Sequence, residues 1–374
     1  MMSDLAWPIA FMLLAVFAEA SMRGLKGRPV DWRDMVFNLN SGHIMLWLFR
    51  GLEITCYGAV VSQWNLGWLA DWPSLAVWLL ALVLWDFGFY WLHRLHHAWP
   101  LLWAVHLVHH EGRDFNLSLG VRNSWYSSLT SIPFFMLLAL IGIPLDVFVG
   151  VSILHYTVQL YNHNDLAPRL RWLEALLITP ALHRVHHVNE ARFCHSNFGG
   201  TFSVWDRLFG TLESELPPVP FSYGVGDEKP SENPFWASNR PFFRYFKLPF
   251  GTQIPTARFA CRPFVLVGGT VMLFALVVGY VDRYGYGYGT VSAAQIALFI
   301  LLASGAVALG GLAEGRPWAR VAWLCVTIAL PATHAMDLTG LTGFWPWLMM
   351  PLLLHGLVVA AAPRHTLDSS APVT

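Results

Sequence analysis

The apolar positions of this 374-residue chain gather into long unbroken runs, with neither the two-residue alternation of a strand nor the single apolar face of a surface helix. A helix that crosses a bilayer needs about 20 mostly apolar residues. Runs of that kind occupy 5–21, 44–62, 74–92, 263–281, 291–312, 318–335 and 344–362, and each predicts a spanning helix. The stretch 128–162 is as apolar but is interrupted by Pro133 and by Gly142-Ile143-Pro144, so it reads as a helical hairpin that returns to the side it came from. The first run follows an acidic residue, Asp4, with its basic residues afterwards, which predicts a retained anchor rather than a signal peptide. The expected fold is all-α, a polytopic membrane bundle. Its polar insertions lie in 1–250, the expected site-bearing domain, and 251–374 reads as a C-terminal four-span region.

Basic residues then set the expected sidedness. Arg23, Lys26, Arg28 and Arg33 follow the first run, which places that loop in the cytoplasm. Alternation puts loops 62–73 and 336–343 outside, and neither contains Lys or Arg. The polar segments 93–127 and 163–262 fall inside. Arg50 and Glu53 lie within the second run, three residues apart on one helical face, and are expected to pair or else to mark a span that starts late.

Composition sharpens this picture. Hydrophobic residues make up 55% of the chain and charged ones 12%, and the mean hydropathy is +0.47, values foreign to a soluble domain. With 23 basic and 23 acidic residues there is no surplus charge to bind nucleic acid. Four scattered cysteines form neither a disulfide framework nor a cysteine-based zinc motif.

The candidate chemistry lies in histidine. Of the 16 histidines, 12 fall between His93 and His195, in the groups HRLHH (93–97), HLVHH (106–110) and HRVHH (183–187), with His155 and His163 between them. On a helix, residues three and four apart share a face, so each group aims several imidazoles at one point. Imidazole suits iron, zinc, copper and nickel. One zinc ion needs about four ligands, and the larger number here implies two metals or much redundancy. His96 points away from the His93/His97 face and His155 sits in the apolar hairpin, so both read as structural supports. His43, His334, His355 and His365 have no partner at ligand spacing and read as structural too. Asp86, Tyr90, His93 and His97 form one stripe down the third span, where Asp86 is placed to orient an imidazole or to bond a neighbouring helix.

These segments resemble the fatty acid hydroxylase/sterol desaturase superfamily of membrane di-iron enzymes. The likeness rests on DFGFYWLHRLHH (86–97), LLWAVHLVHH (101–110), NLSLGVRNSW (116–125), VQLYNH (158–163), TPALHRVHH (179–187) and NFGGTFSVWDRLFGTLESE (197–215). The last motif and the spans beyond it look most like the alkylglycerol monooxygenase branch. The resemblance implies metal ligands at His93, His97, His106, His109, His110, His163, His183, His186 and His187, with no catalytic side chain beyond them, and the expected sidedness makes these a cytoplasmic histidine-rich cap. Asn197 belongs to the closing motif. His195 stands where the family often carries an acidic residue, as either a further ligand or a changed support. The implied reaction is hydroxylation of a lipid C–H bond by two irons and dioxygen, with desaturation as the alternative outcome. No nucleotide or haem fingerprint occurs, so electrons are expected from a ferredoxin- or cytochrome-type partner, or from a reduced pterin. A metal transporter is the competing class, but its ligands would be expected on broken helices near mid-membrane.

Overall fold

A computed structural model describes residues 6–28, 30–217, 219–226, 229–249, 256–285 and 291–362, and His365 lies outside them. The described residues form α-helices α1 (Ala6–Leu25), α2 (Trp32–Ser41), α3 (His43–Trp64), α4 (Ser74–Ala98), α5 (Pro100–His110), α6 (Ser127–Ile141), α7 (Leu145–Asn162), α8 (Pro180–His186), α9 (Ala191–Cys194), α10 (Val204–Leu208), α11 (Pro234–Tyr245), α12 (Pro263–Tyr284), α13 (Ala293–Ala313), α14 (Pro317–Ala335) and α15 (Met349–Ala361). Among these residues no strand is found, and two isolated bridges join Leu177 to Phe202 and Val188 to Tyr223. The all-α expectation holds.

Five helical stretches are long and apolar enough to cross a membrane: Pro8–Leu25, Trp32–Trp64, Ser74–Ala98, Pro263–Tyr284 and Ala293–Ala313. Two of the seven expected spans fall short of that measure. In α14, Arg320, His334 and two prolines dilute the apolar run, and the last run is a helix of only Trp345–Ala361. The broken apolar stretch forms two helices, α6 and α7, that both pack on α4. Gly142 ends α6 in the left-handed conformation (φ 104°), and Pro144 opens α7 with a preset φ.

The chain divides into two compact units. One comprises 1–14, 31–47 and 229–374. Its core joins Leu273, Leu302, Leu309, Trp323 and Leu352, from α12 to α15. There His355 donates from Nε2 to the Val265 carbonyl (2.8 Å) and accepts at Nδ1 from Trp323 (3.0 Å), while His334 bonds Thr339 (2.8 Å). These are the structural roles expected of them.

The other unit comprises 15–30 and 48–228. Here α4 packs on α6 and α7, with Trp85 stacked on Phe135 and Tyr57 on Phe148, both at 3.8 Å. Arg50 pairs with Glu53 as expected, and Glu53 also accepts from Ser131 (2.5 Å). The Arg50 guanidinium lies 5.1 Å from the Tyr156 ring centre and 5.7 Å from that of Trp85. A charge held inside apolar helices is thus matched by a carboxylate and by aromatic faces.

Candidate metal centre

Four short constructions bring the histidines together. The final turns of α4 carry His93 and His97. Trp99 then leaves helical geometry, Pro100 starts α5 with a residue that needs no N–H partner, and α5 presents His106, His109 and His110. His163 caps the C-terminus of α7. Thr179 caps the N-terminus of α8, again with proline first, and α8 supplies His183 and His186 with His187 as its C-cap. All nine are wholly or largely buried except His106, which is half-buried.

They fall into two groups. His93, His97, His106, His110 and His186 form one, and His109, His163, His183 and His187 the other; within each, one ring nitrogen per residue lies within 4.8 Å of the rest. Neither contains a carboxylate. The groups adjoin, with the rings of His110 and His187 stacked at 4.6 Å.

Backbone carbonyls fix the ring orientations. Nδ1 of His93 meets the Phe198 carbonyl (2.9 Å), that of His109 the Arg122 carbonyl (3.0 Å), that of His163 the Gln159 carbonyl (2.8 Å), and that of His186 the Ser196 carbonyl (2.6 Å). A carbonyl only accepts, so each of these imidazoles carries its hydrogen on Nδ1 and its lone pair on Nε2. Burial lowers the pKa of His109 to about 4 and that of His186 to about 3, so both are neutral at neutral pH.

The lone pairs therefore face one another. Nε2 of His163 lies 3.3 Å from Nε2 of His109, although both hydrogens are committed to carbonyls on the far sides of the rings. No hydrogen bond can form there, and only a cation between the two nitrogens makes the contact favourable. Other Nε2 separations are 3.0 Å for His163–His183 and 3.1 Å for both His183–His187 and His110–His186. Nitrogens bound at about 2.0–2.1 Å to one metal lie about 3.0–3.4 Å apart. Nε2 of His93, buried and without a partner, fits the same pattern. The donor set fits metal ions, one to each group.

Among the supporting residues expected from sequence, the structure separates different tasks. Asp86 does not touch a clustered imidazole. Its carboxylate accepts from the Thr201 N–H (2.6 Å), the Phe202 N–H (3.0 Å) and Trp205 Nε1 (2.9 Å), and lies 3.4 Å from His155. His155 also meets Thr201 Oγ1 (3.3 Å), and His96 bonds Thr130 (2.9 Å) while stacking on His106. Asn197 adopts φ 53°, a conformation asparagine tolerates. It donates to the Leu182 and Glu213 carbonyls and accepts from the Glu213 N–H (2.9 Å). His195 lies with His97 and Cys194, whose ligand atoms are within 4.8 Å of one another.

One supporting residue escaped the sequence reading. Asp206 accepts from the N–H groups of Phe198 and Gly199 (2.8 Å each) and from Thr211 Oγ1 (2.7 Å). Asn197, Asp206 and Asp86 thus suspend the segment 196–202, which supplies the carbonyls that orient His186 and His93. The paired glycines of that segment are required by space. A Cβ on Gly199 would sit 2.5 Å from the Phe202 carbonyl oxygen, and one on Gly200 would sit 2.1 Å from the His155 ring. A second hidden support lies in α1. Glu19 accepts from the N–H groups of Leu117 (2.6 Å) and Asp165 (2.9 Å), and Arg23 pairs with Asp114 (2.7 Å), so the loops that follow His110 and His163 hang on one helix.

Comparison with known proteins gives a consistent result. Residues 78–211 match the fatty acid hydroxylase family. The chain is similar to alkylglycerol monooxygenase of Xenopus tropicalis, 32% identical over 214 residues (56% of this chain, 48% of the relative). Alkylglycerol monooxygenase of Homo sapiens is 35% identical over 202 residues (53% and 45%). The ornithine lipid hydroxylase OlsE of Rhizobium tropici is 34% identical over 164 residues (42% and 48%). The chain spans about half the length of these relatives. No solved structure gives a significant match. The matched stretch holds all nine clustered histidines together with Asp86, Asn197 and Asp206, and over residues 78–211 the chain is similar to the fatty acid hydroxylase family.

Proposed function

We propose that this chain is an integral-membrane oxidoreductase that hydroxylates a C–H bond of a lipid, with one iron in each histidine group. The observation that carries the reading is the pair of adjoining all-imidazole clusters with opposed Nε2 lone pairs. The ligands would be His93, His97, His106, His110 and His186 for one ion, and His109, His163, His183 and His187 for the other. Iron supplied with dioxygen and two electrons oxidises unactivated C–H bonds, chemistry that no side chain performs alone. The protein holds the imidazoles neutral, commits the Nδ1 hydrogens of His93, His109, His163 and His186 to carbonyls, and buries the centre away from bulk water. With no carboxylate among the ligands, the protein leaves the charge of the ions unneutralised, which favours an anionic group from outside the chain.

The substrate class follows the names of the similar proteins, an alkylglycerol monooxygenase and an ornithine lipid hydroxylase. A lipid also suits a site built at the end of α4, a helix apolar enough to span a bilayer. The basic residues that follow α1 support a cytoplasmic position for that site. The site-bearing region 1–250 would be the catalytic domain and 251–374 an accessory membrane region. Electrons would come from a ferredoxin- or cytochrome-type protein, or from a reduced pterin.

Elemental analysis of the purified protein together with product analysis tests this. The expected result is two irons per chain and, with dioxygen and reductant, a lipid heavier by one oxygen. A lipid lighter by two hydrogens would make the enzyme a desaturase. Protein without redox metal that leaves lipids unchanged after iron loading would refute the proposal.

A further inference from the structure

His97 differs from the other clustered histidines. It is nine-tenths buried, and both its ring nitrogens are buried without a hydrogen-bond partner. An imidazole bears its two nitrogens on different sides of the ring, so His97 can serve two neighbours. It takes part in two groups: the five-histidine cluster, and a separate triad with Cys194 and His195. The rings of His97 and His195 stand at 81° with centres 5.9 Å apart.

The triad has a different chemistry from the clusters. Cys194 ends α9, is half-buried, and makes only a weak Sγ contact with the Ala191 carbonyl at 3.8 Å. His195 is exposed, so the triad opens to solvent whereas the nine-histidine centre does not. One sulfur and two imidazole nitrogens form a soft set that favours zinc, cobalt or cuprous ions over magnesium or calcium. Three protein ligands leave a position open for water.

We propose that His97, Cys194 and His195 form a third, outward-facing metal site that takes a thiophilic cation such as zinc. On binding, the Cys194 thiol gives its proton to solvent and the thiolate bonds the metal. His97 is then drawn from the five-histidine cluster, or bridges both sites as imidazolate after its ring N–H proton also passes to solvent, so an ion at this site reports on and perturbs the buried centre. The nitrogen and sulfur geometry carries the inference, and only its link to oxidation chemistry rests on the proposed function.

Residue-resolved alkylation of the full-length protein tests it without any substitution. Zinc is expected to slow modification of Cys194 roughly tenfold or more, since a metal-bound thiolate is a poor nucleophile, and to leave the exposed Cys325 unaffected. His195→Ala should remove that protection. Cobalt should give a near-ultraviolet thiolate charge-transfer band in the unmodified protein that Cys194→Ser abolishes. Equal alkylation of Cys194 with and without zinc, or a cobalt-loaded protein lacking the band, overturns the proposal. Iron measured in the same samples separates the two readings: two irons without protection of Cys194 would sink only the third site, and protection without iron would sink only the di-iron centre.

Discussion

At the scale of single residues the two histidine groups are unequal, and the inequality is measurable. The group of His109, His163, His183 and His187 has the minimum number of ligands for a tetrahedral ion, whereas the other group has five. Replacing His183 with alanine leaves three imidazoles, and replacing His106 leaves four. Iron analysis of His183→Ala is therefore expected to fall from two per chain to about one, while His106→Ala stays nearer two. A different test falls on Asp206. Its carboxylate holds the N–H groups of Phe198 and Gly199, and through them the Phe198 carbonyl that orients His93. Asp206→Ala should weaken metal binding about 10–100-fold at the five-histidine group alone, the loss typical when a support behind a ligand is removed. Equal loss from both groups, resolved by Mössbauer spectroscopy, would show general unfolding instead.

At the scale of elements, much of the site was legible because helices convert spacing into faces. HRLHH, HLVHH and HRVHH each sit at a helix C-terminus, and their i, i+3 and i+4 pairs converge as the sequence predicts. What stayed hidden was carried by the main chain. The Phe198, Ser196, Arg122 and Gln159 carbonyls have no side-chain signature, and which of them meets which ring depends on how distant segments return. The Asp86 stripe was read correctly as a face but assigned to the wrong neighbour, because the segment 201–205 approaches α4 from a part of the chain that periodicity cannot position. Asp206 stood inside a quoted motif without a visible task. The Arg50–Glu53 pair, by contrast, was plain from its i, i+3 spacing within an apolar helix. Glu53→Leu removes the carboxylate from a buried guanidinium and is expected to cost about 3–5 kcal/mol. The double substitution Arg50→Met with Glu53→Leu should recover most of that loss. Comparing the apparent Tm of the three proteins in detergent checks both statements.

At the scale of the whole molecule, the unequal distribution of basic residues makes a prediction that is independent of chemistry. All three lysines, Lys26, Lys229 and Lys247, lie in segments expected on the cytoplasmic side. A membrane-impermeant amine reagent should therefore leave them unmodified in intact cells and label them in inverted vesicles. Labelling in intact cells would reverse the assigned orientation and move the histidine centre to the opposite face. The arrangement around α1 has a consequence for biosynthesis. Glu19 and Arg23 are translated well before the loops at 114–117 and 165 that they hold. The helix that carries both supports is thus made before the segments it holds, and the loops after His110 and His163 can dock on it only once they have been synthesised.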